Sequence, residues 1–393
     1  MISCGEPSGD LYAAALTREL RRAEPDVVVT GFGGERLRAA GAHLTGDFGG
    51  LSVTGLVEVA RLLPRTYAIY RRLLADARDH RPDVFVAVDF PDFNFRLASA
   101  VRRIGVPVVY YISPQLWAWR PGRMKTMKRI ADRVLVIFPF EEDLYRTAGV
   151  PADWVGHPLL DVLPAPRPRA EIRARLGARD AAPMVALLPG SRANEVRQIL
   201  PDLVAAAALI RERLASVQFV LARAPHLDDA LFEPLAALPG APATVVHGMS
   251  DDVLAAADLA LVASGTVTVQ AALHECPMVV VYRVAPLTYR LGKPFVRVNT
   301  YAMANLVAGR RIVPELIQDD FTPQAVASEA LDILTSDGRS ARMREDLRIV
   351  GEKLGGPGAS ARAARAVIEV AQRRSSADRR GSAPIAADRR GSS

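Results

Sequence analysis

The chain has 393 residues, of which 50% are hydrophobic and 24% are charged, a length that suits two α/β domains better than one core. Its two cysteines exclude a disulfide-stabilised secreted module, and no uncharged stretch is long enough to cross a bilayer. The net charge of +7 does not indicate a nucleic-acid-binding protein, because residues 373–393 hold six arginines and two aspartates and so carry much of it.

Strand-like apolar runs alternate with helical patterns along most of the chain. In the first half, the predicted strands are 1–4, 27–30, 84–89, 106–113 and 133–140. In the second half they are 184–189, 217–222, 244–247, 259–264 and 278–284. Such alternation is typical of parallel sheets with helices on both faces. The sequence therefore predicts an α/β protein of two Rossmann-like, doubly wound domains that face each other across a cleft.

A proline-rich stretch separates the two halves and predicts an interdomain linker; its prolines are Pro158, Pro164, Pro166 and Pro168. We therefore expect an N-terminal domain at 1–160 and a C-terminal domain at 161–340. Residues 341–372 predict helices that can return to the first domain. The arginine-rich segment 373–393 lacks aromatic residues and predicts a disordered tail.

The first strand leads directly into a glycine-rich turn at 5–10. Only four residues precede this turn, so we expect the natural chain to start a few residues upstream. No basic leader precedes Glu6, which predicts a cytoplasmic protein without a secretory signal. Glu6, Ser8 and Asp10 are candidates to line the cleft. Alternatively, Ser8 or Asp10 is the N-cap of the following helix.

Asp89 ends a buried strand-like run and is the candidate general base. A carboxylate at the carboxyl end of a parallel strand is well placed for this role. The alternative is a turn or capping aspartate, a role that Asp92 or Asn94 fills equally well. His157 is expected at the cleft mouth, or else as a turn histidine with an ordinary hydrogen bond. The remaining histidines lack metal-ligand spacing, and we predict no metal site.

Two turns in the second half have the composition of phosphate-binding loops. The first contains Gly190, Ser191 and Arg192, and the second contains Ser264, Gly265 and Thr266. Glycine allows a ligand oxygen to approach the backbone, and the N-terminus of the following helix attracts an anion. Each turn alone is also compatible with an ordinary strand-to-helix connection. Together they predict a diphosphate site.

Three common nucleotide motifs are absent from the sequence. No two aspartates are separated by a single residue, so the Asp-x-Asp element of metal-dependent sugar transferases is missing. The P-loop motif and the complete dinucleotide-binding glycine motif are also missing. A sugar diphosphate bound here would be neutralised by helix N-termini, hydroxyls and Arg192, without a metal.

An ordered series of motifs resembles the lipid-A-disaccharide synthase family, glycosyltransferases of family 19 with the GT-B fold. The resemblance covers 1–371 and is carried by the segments GEPSGD at 5–10, DFPDFN at 89–94, SPQLWAWR at 113–120, FPFE at 138–141, VGHPL at 155–159, LPGSR at 188–192, ASGT at 263–266 and NLVAGR at 305–310.

This resemblance implies an inverting hexosyltransferase that needs no cofactor. A UDP-2,3-diacylglucosamine donor transfers its sugar to the 6-hydroxyl of 2,3-diacylglucosamine 1-phosphate and releases UDP. Such a displacement requires a base for the acceptor hydroxyl, for which Asp89 is the candidate, and stabilisation of the departing diphosphate. Asn305 is expected to reach the cleft from the second domain. Gln270 stands where relatives commonly have Glu, and Ala304 where they usually have Pro; the first change is expected to weaken donor binding.

An acylated acceptor implies contact with an anionic membrane surface. An apolar face is predicted at Leu56, Val59, Leu63, Tyr67, Tyr70 and Leu74, flanked by Arg61, Arg65, Arg71 and Arg72. The sequence alone favours packing of this helix on its own sheet. The acylated substrate that the resemblance implies favours contact of the helix with a membrane instead. Trp117 and Trp119, with the basic residues of 120–129, are a second candidate contact. The expected location is peripheral, on the cytoplasmic face of the inner membrane.

The sequence is compatible with three alternative functions. One is another GT-B transferase of cell-envelope synthesis, which adds N-acetylglucosamine to a lipid-linked precursor. Another is a non-hydrolysing UDP-sugar epimerase, which would act on the donor alone. The third is a nucleotide-sugar binder without turnover, a reading suggested by Gln270. The sequence does not predict the oligomeric state.

Overall fold

The computed structural model describes residues 1–48, 56–116, 122–284 and 300–381. Within these ranges, thirteen strands form two parallel sheets, with helices on the faces of both. The described helices include none that is both long and apolar enough to cross a membrane. The predicted α/β class with two doubly wound sheets is confirmed.

The first sheet contains seven of the described strands in the order β3-β2-β1-β4-β5-β6-β7. Their bounds are β1 Ile2–Cys4, β2 Thr30–Gly33, β3 His43–Asp47, β4 Phe85–Val88, β5 Val108–Tyr111, β6 Arg133–Val136 and β7 Ala152–Trp154. The helices that connect or follow them are α1 Pro7–Ala23, α2 Glu35–Ala39, α3 Leu56–His80, α4 Pro91–Arg103, α5 Arg123–Ile130, α6 Pro139–Thr147 and α7 Leu159–Val162.

The second sheet contains six of the described strands in the order β10-β9-β8-β11-β12-β13. These are β8 Met184–Leu188, β9 Gln218–Arg223, β10 Thr244–His247, β11 Leu259–Ala263, β12 Met278–Tyr282 and β13 Glu315–Ile317. The helices are α8 Arg169–Arg175, α9 Ala193–Arg213, α10 Ser250–Ala256, α11 Thr266–Leu273, α12 Met303–Ala308, α13 Pro323–Thr335, α14 Asp337–Lys353 and α15 Ala359–Gly381, with short 3₁₀ helices at Asp229–Ala237 and Gln318–Asp320.

Strand register places the turns at the site side by side. In the first sheet, Cys4 pairs with Val88, so β1 and β4 end at the same level. In the second, Leu188 pairs with Val262, so β8 and β11 also end together. Both pairs are the points at which the strand order reverses, where doubly wound sheets usually bind ligands.

The last two helices pack against different sheets. Helix α14 packs on α11 and α12 of the second sheet, whereas α15 packs on α1 and β5 of the first. The backbone N–H groups of Gly358 and Ser360 donate to the carboxylate of Asp161, 2.5 and 2.6 Å away. The end of the chain is therefore tied to the segment that follows β7.

Several predicted boundaries were wrong. Residues 27–29 precede β2 instead of forming it, and Val28 is 71% exposed. The strands β3, β7 and β13 were missed because they are short and, in β3, exposed at both ends. Helix α15 extends to Gly381 and so includes residues 373–381 of the segment for which the sequence predicted disorder. Alanine and arginine propagate a helix at little cost once it has formed. Residues 382–393 lie outside the described ranges.

Candidate functional site

The carboxyl edges of the two sheets meet through an ion pair. Arg192 follows β8, and its Nη2 donates to Oε2 of Glu6, which follows β1, at 2.7 Å. Both side chains are about one-third exposed, at 35% and 32%. The turns of both sheets therefore line a common cleft.

Asp89 lies at the end of β4 in a strained backbone conformation. Its φ is 45°, and that of Phe90 is 50°, a region that residues other than glycine rarely adopt. Asn94 Nδ2 and Tyr110 Oη donate to the main-chain oxygen of Asp89, at 2.8 and 2.9 Å. A Cβ at Gly5 would overlap the ring of Phe90, so glycine is needed there. Asn94, and not Asp89, is the side chain that ties this turn together.

The pKa of Asp89 is raised to about 7. Burial contributes most to this increase, and the negative charge of Glu6 adds to it. The backbone N–H of Phe90 and the charge of Arg192 oppose the shift. A carboxyl group with a pKa near neutrality exchanges protons readily at physiological pH, as a general base must.

A carboxylate of the chain itself occupies the turn after β8. Glu195 Oε2 accepts hydrogen bonds from the backbone N–H groups of Ser191 and Arg192, at 3.0 and 3.2 Å. Its Oε1 accepts from Arg192 Nη1 at 3.1 Å. Burial disfavours the charged form of Arg192, but Glu6 and Glu195 outweigh it and raise the pKa of the guanidinium. A Cβ at Gly190, where φ is 124°, would lie 2.5 Å from Glu195 Oε2.

The turn after β11 is open by comparison. Gly265 is the N-cap of α11 with φ of 155°, and no side chain caps the helix. Gly265 and Thr266 are exposed, and a Cβ at Gly265 would meet nothing within 4 Å. The hydroxyl of Ser264 donates to the main-chain oxygen of Tyr301 at 3.2 Å. The N-terminus of α11 therefore presents its backbone N–H groups to the cleft.

Asp10, His157 and Asn305 have structural roles in the fold, and for His157 this is the turn histidine that was the alternative prediction from the sequence. Asp10 is 4% exposed and accepts from the backbone N–H groups of Gly34, Arg36 and Leu37, so it caps α2 and does not line the cleft. Neither it nor Ser8 is the N-cap of α1, which is Glu6.

His157 and Asn305 are also buried. His157 is 2% exposed, its Nδ1 accepts from the backbone N–H of Leu159, and burial lowers its pKa to about 3. The side chain of Asn305 is fully hydrogen-bonded: it donates to Val313 and Glu315 and accepts from backbone N–H groups of 312–313. The expectation that Asn305 reaches the cleft is therefore wrong, because its amide holds the loop before β13.

The sequence did not single out two residues that contact predicted site residues: Glu195, which contacts Arg192, and Asp251, which contacts Gln270. Glu195 lies three residues after Arg192, the spacing of a capping box, and that spacing was a usable signal. Asp251, in the first turn of α10, accepts from Nε2 of Gln270 at 3.4 Å. No sequence pattern linked Asp251 to Gln270, because their contact is tertiary.

The α3 helix packs on its own sheet through Ile69, Leu73 and Ala77, and Tyr70 of the predicted apolar face packs partly buried against the same core. Tyr67 is 62% exposed and stacks on Tyr70 with ring centres 6.2 Å apart. The side chains of Leu56 and Val59 lie outside the described part. Leu74 is partly buried, and Arg65, Arg71 and Arg72 are exposed. The side chains of Arg61 and Leu63, as well as Trp117 and Trp119, lie outside the described part. In the described ranges, no three His, Cys, Asp or Glu side chains form a metal-binding group.

Solved structures with the same architecture define the class of protein. A UDP-GlcNAc 2-epimerase from Neisseria meningitidis, bound to UDP-GlcNAc, matches with a TM-score of 0.65 and 13% identity over 94% of this chain and 98% of that one. CalG4, the calicheamicin glycosyltransferase, matches with a TM-score of 0.59 and 18% identity over 95% of this chain and 97% of that one. The fold is the two-sheet GT-B fold that such transferases and epimerases share.

The sequence comparison is more specific. The profile of the Lipid-A-disaccharide synthetase family matches residues 1–369. The lipid-A-disaccharide synthase of Myxococcus xanthus is 42% identical over 94% of this chain and 97% of its own length. That of Koribacter versatilis is 44% identical over 95% of this chain and 99% of its own length. The chain belongs to the lipid-A-disaccharide synthase family and is a glycosyltransferase, as its motifs predicted.

Proposed function

We propose that the chain transfers a 2,3-diacylglucosamine unit from UDP to the 6-hydroxyl of 2,3-diacylglucosamine 1-phosphate, with inversion at the anomeric carbon. The family match supports the substrates. The observation that carries the mechanism is the position of Asp89, with a pKa of about 7, at the edge that faces Arg192 across the Glu6 ion pair. One sheet supplies the base, and the other supplies positive charge for the leaving group.

Asp89 acts as the general base in its ionised form. The acceptor oxygen forms a bond to the anomeric carbon while its proton moves to the Asp89 carboxylate. The bond between the anomeric carbon and the diphosphate oxygen breaks, and its electron pair leaves with UDP. No covalent sugar intermediate is needed for a single displacement with inversion.

The leaving diphosphate is stabilised by groups of the second sheet. Arg192 supplies the positive charge, and the N-terminus of α11 supplies backbone N–H groups beside Thr266. Glu6 and Glu195 hold Arg192 in the free protein. The diphosphate therefore takes over contacts that these two carboxylates make before it arrives.

The acylated substrates are taken from the cytoplasmic face of the inner membrane, on which the protein is peripheral. Tyr67 is exposed on α3, and Arg65, Arg71 and Arg72 are exposed on the same helix. An aromatic side chain beside exposed arginines suits the surface of an anionic bilayer. Binding to vesicles with and without anionic lipid tests this placement: salt should weaken it.

Product analysis tests the reaction. The purified protein is incubated with both acylated sugars, and mass spectrometry should detect the disaccharide 1-phosphate and UDP. Proton NMR should show a β linkage from the α-linked donor. Conversion of the donor without acceptor would instead identify an epimerase, and binding of UDP without any product would contradict enzyme activity.

The Asp89→Asn variant tests the base. We expect turnover to fall by about a hundredfold or more, because the amide cannot accept the proton. The melting temperature should not fall, since the variant replaces a desolvated charge with a neutral group of the same shape. Asp92→Asn, which removes an exposed carboxylate in the same turn, is the matched control and should retain turnover. Near-normal turnover of Asp89→Asn would remove Asp89 from the role.

A further inference from the structure

A polar cluster outside the two phosphate turns connects α10 to α11. Asp251 Oδ1 lies 3.4 Å from Nε2 of Gln270 and 3.0 Å from Nε2 of His274. Gln270 lies one helical turn after Thr266 on α11, and Asp251 lies in the first turn of α10. Gln270 is thus about 6 Å further along α11 than the open N-terminus.

Asp251 is close to the cleft. Its side chain is 29% exposed. Helix α10 begins at Ser250, directly after β10 ends at His247, so its first turn lies at the carboxyl edge of the second sheet. The turns that contain Arg192 and Thr266 lie at the same edge, because β8 and β11 are parallel to β10 in this sheet.

The cluster contains two oxygen atoms that can accept hydrogen bonds from a ligand. Both contacts of Asp251 use Oδ1, and within the described residues its Oδ2 accepts no hydrogen bond. Gln270 donates through Nε2, and its Oε1 likewise has no donor among the described side chains and backbone groups. A carboxylate oxygen and an amide oxygen on two side chains in contact can accept hydrogen bonds from two neighbouring hydroxyl groups, one from each.

We propose that Asp251, oriented by Gln270 and His274, is the carboxylate that accepts the ribose hydroxyls of the donor nucleotide. This inference rests on the proposed function, because the diphosphate at the start of α11 fixes where the ribose lies. Gln270 contributes an amide oxygen and the N–H that holds Asp251. The charge-assisted acceptor therefore comes from α10 and not from α11, and Gln270 does not weaken donor binding as the sequence suggested.

The competing explanation is that Asp251 only joins the two helices. In that case the replacement of Asp251 would lower the melting temperature and weaken the binding of all ligands by the same factor. A hydroxyl-binding role has a distinct consequence: the protein should distinguish UDP from 2′-deoxy-UDP, and the distinction should depend on Asp251.

Calorimetric titration of the full chain with UDP and 2′-deoxy-UDP tests this. The unmodified protein should bind UDP about tenfold or more tightly than 2′-deoxy-UDP, as expected for a hydrogen bond to a charged group. Asp251→Asn should bind UDP about tenfold more weakly and retain at most about a twofold preference. Asp180→Asn removes an exposed carboxylate that precedes β8, and it should change neither value.

A double variant separates the two explanations. Asp251→Asn combined with Gln270→Glu moves the carboxylate to the neighbouring position and should restore most of the preference for UDP. Failure of the double variant to restore it, or an equal preference in Asp251→Asn and the unmodified protein, would overturn the inference while leaving the proposed function intact. Absence of UDP binding in the unmodified protein would contradict both.

Discussion

The turns after β8 and β11 have the same strand–glycine–helix arrangement, but only the turn after β8 holds a carboxylate of the chain. Each joins a buried strand to a helix through a glycine with positive φ. The third residue of α9 is Glu195, which bonds back to the turn, whereas the third residue of α11 is Thr268, whose hydroxyl donates to the oxygen of Gly265. The first turn is satisfied internally, and the second is open to an anion.

This difference shows that one side chain, Glu195, determines whether the backbone N–H groups of such a turn are available to an anion. The open turn needs no rearrangement to receive an oxygen anion. The occupied turn must release Glu195 from the N–H groups of Ser191 and Arg192, and release Glu6 from the guanidinium. In the proposed mechanism, donor binding at the first turn is therefore an exchange of carboxylates for phosphate.

The largest effect on catalysis is expected from replacing Arg192, the side chain whose carboxylate partners the phosphate would replace. Arg192→Ala should lower kcat by a factor of about a hundred to a thousand, because the departing diphosphate loses its positive partner and faces Glu6 and Glu195. Steady-state formation of the disaccharide measures the effect. Arg197→Ala, an exposed arginine on the same helix, is the control and should change little. Equal kinetics of the two variants would contradict the role of Arg192.

An intermediate effect is expected at the open turn. Thr266→Val should weaken UDP binding by about tenfold, as expected for the loss of one hydrogen bond from a hydroxyl to a charged phosphate. Titration with uridine, which lacks the phosphates, is the ligand control. If uridine binding weakens by the same factor, Thr266 acts on packing and not on the anion.

The smallest effect is expected for Glu195, which occupies the turn after β8, and this variant should bind UDP more tightly instead of more weakly. Glu195→Gln should tighten UDP binding by about twofold to fivefold, because a neutral amide competes less well for the backbone N–H groups. The gain should shrink at high salt, since it comes from removing a negative charge. Weaker binding in this variant would mean that Glu195 builds the turn and that phosphate does not replace it.

The strands that are buried on both faces could be predicted from the sequence, and so could the edge strand β10, but the strands β3, β7 and β13 could not. Runs such as Met184–Leu188 and Leu259–Ala263 are continuous and apolar because helices cover both faces. By contrast, His43–Asp47 is partly exposed throughout and includes glycine and threonine. Its strand conformation depends on pairing with β2, which is a tertiary interaction.

The same distinction applies to the site. Asp89, Arg192 and Gly265 could be placed after β4, β8 and β11 because the ends of these strands are visible in the sequence. Asn305 was misassigned because its four hydrogen bonds, to 312–315, depend on how the loop folds back. The Glu6 contact to Arg192 joins residues 186 positions apart, and no local pattern encodes it.

The pH dependence of kcat/KM for disaccharide formation tests the central claim most directly. Burial and the charge of Glu6 raise the pKa of Asp89 to about 7, so the base is mostly protonated, and inactive, below that pH. The value of kcat/KM should therefore rise about tenfold per pH unit below neutrality and level off above an apparent pKa near 7. A profile that is flat across this range, or that falls as the pH rises through neutrality, would contradict Asp89 as the base.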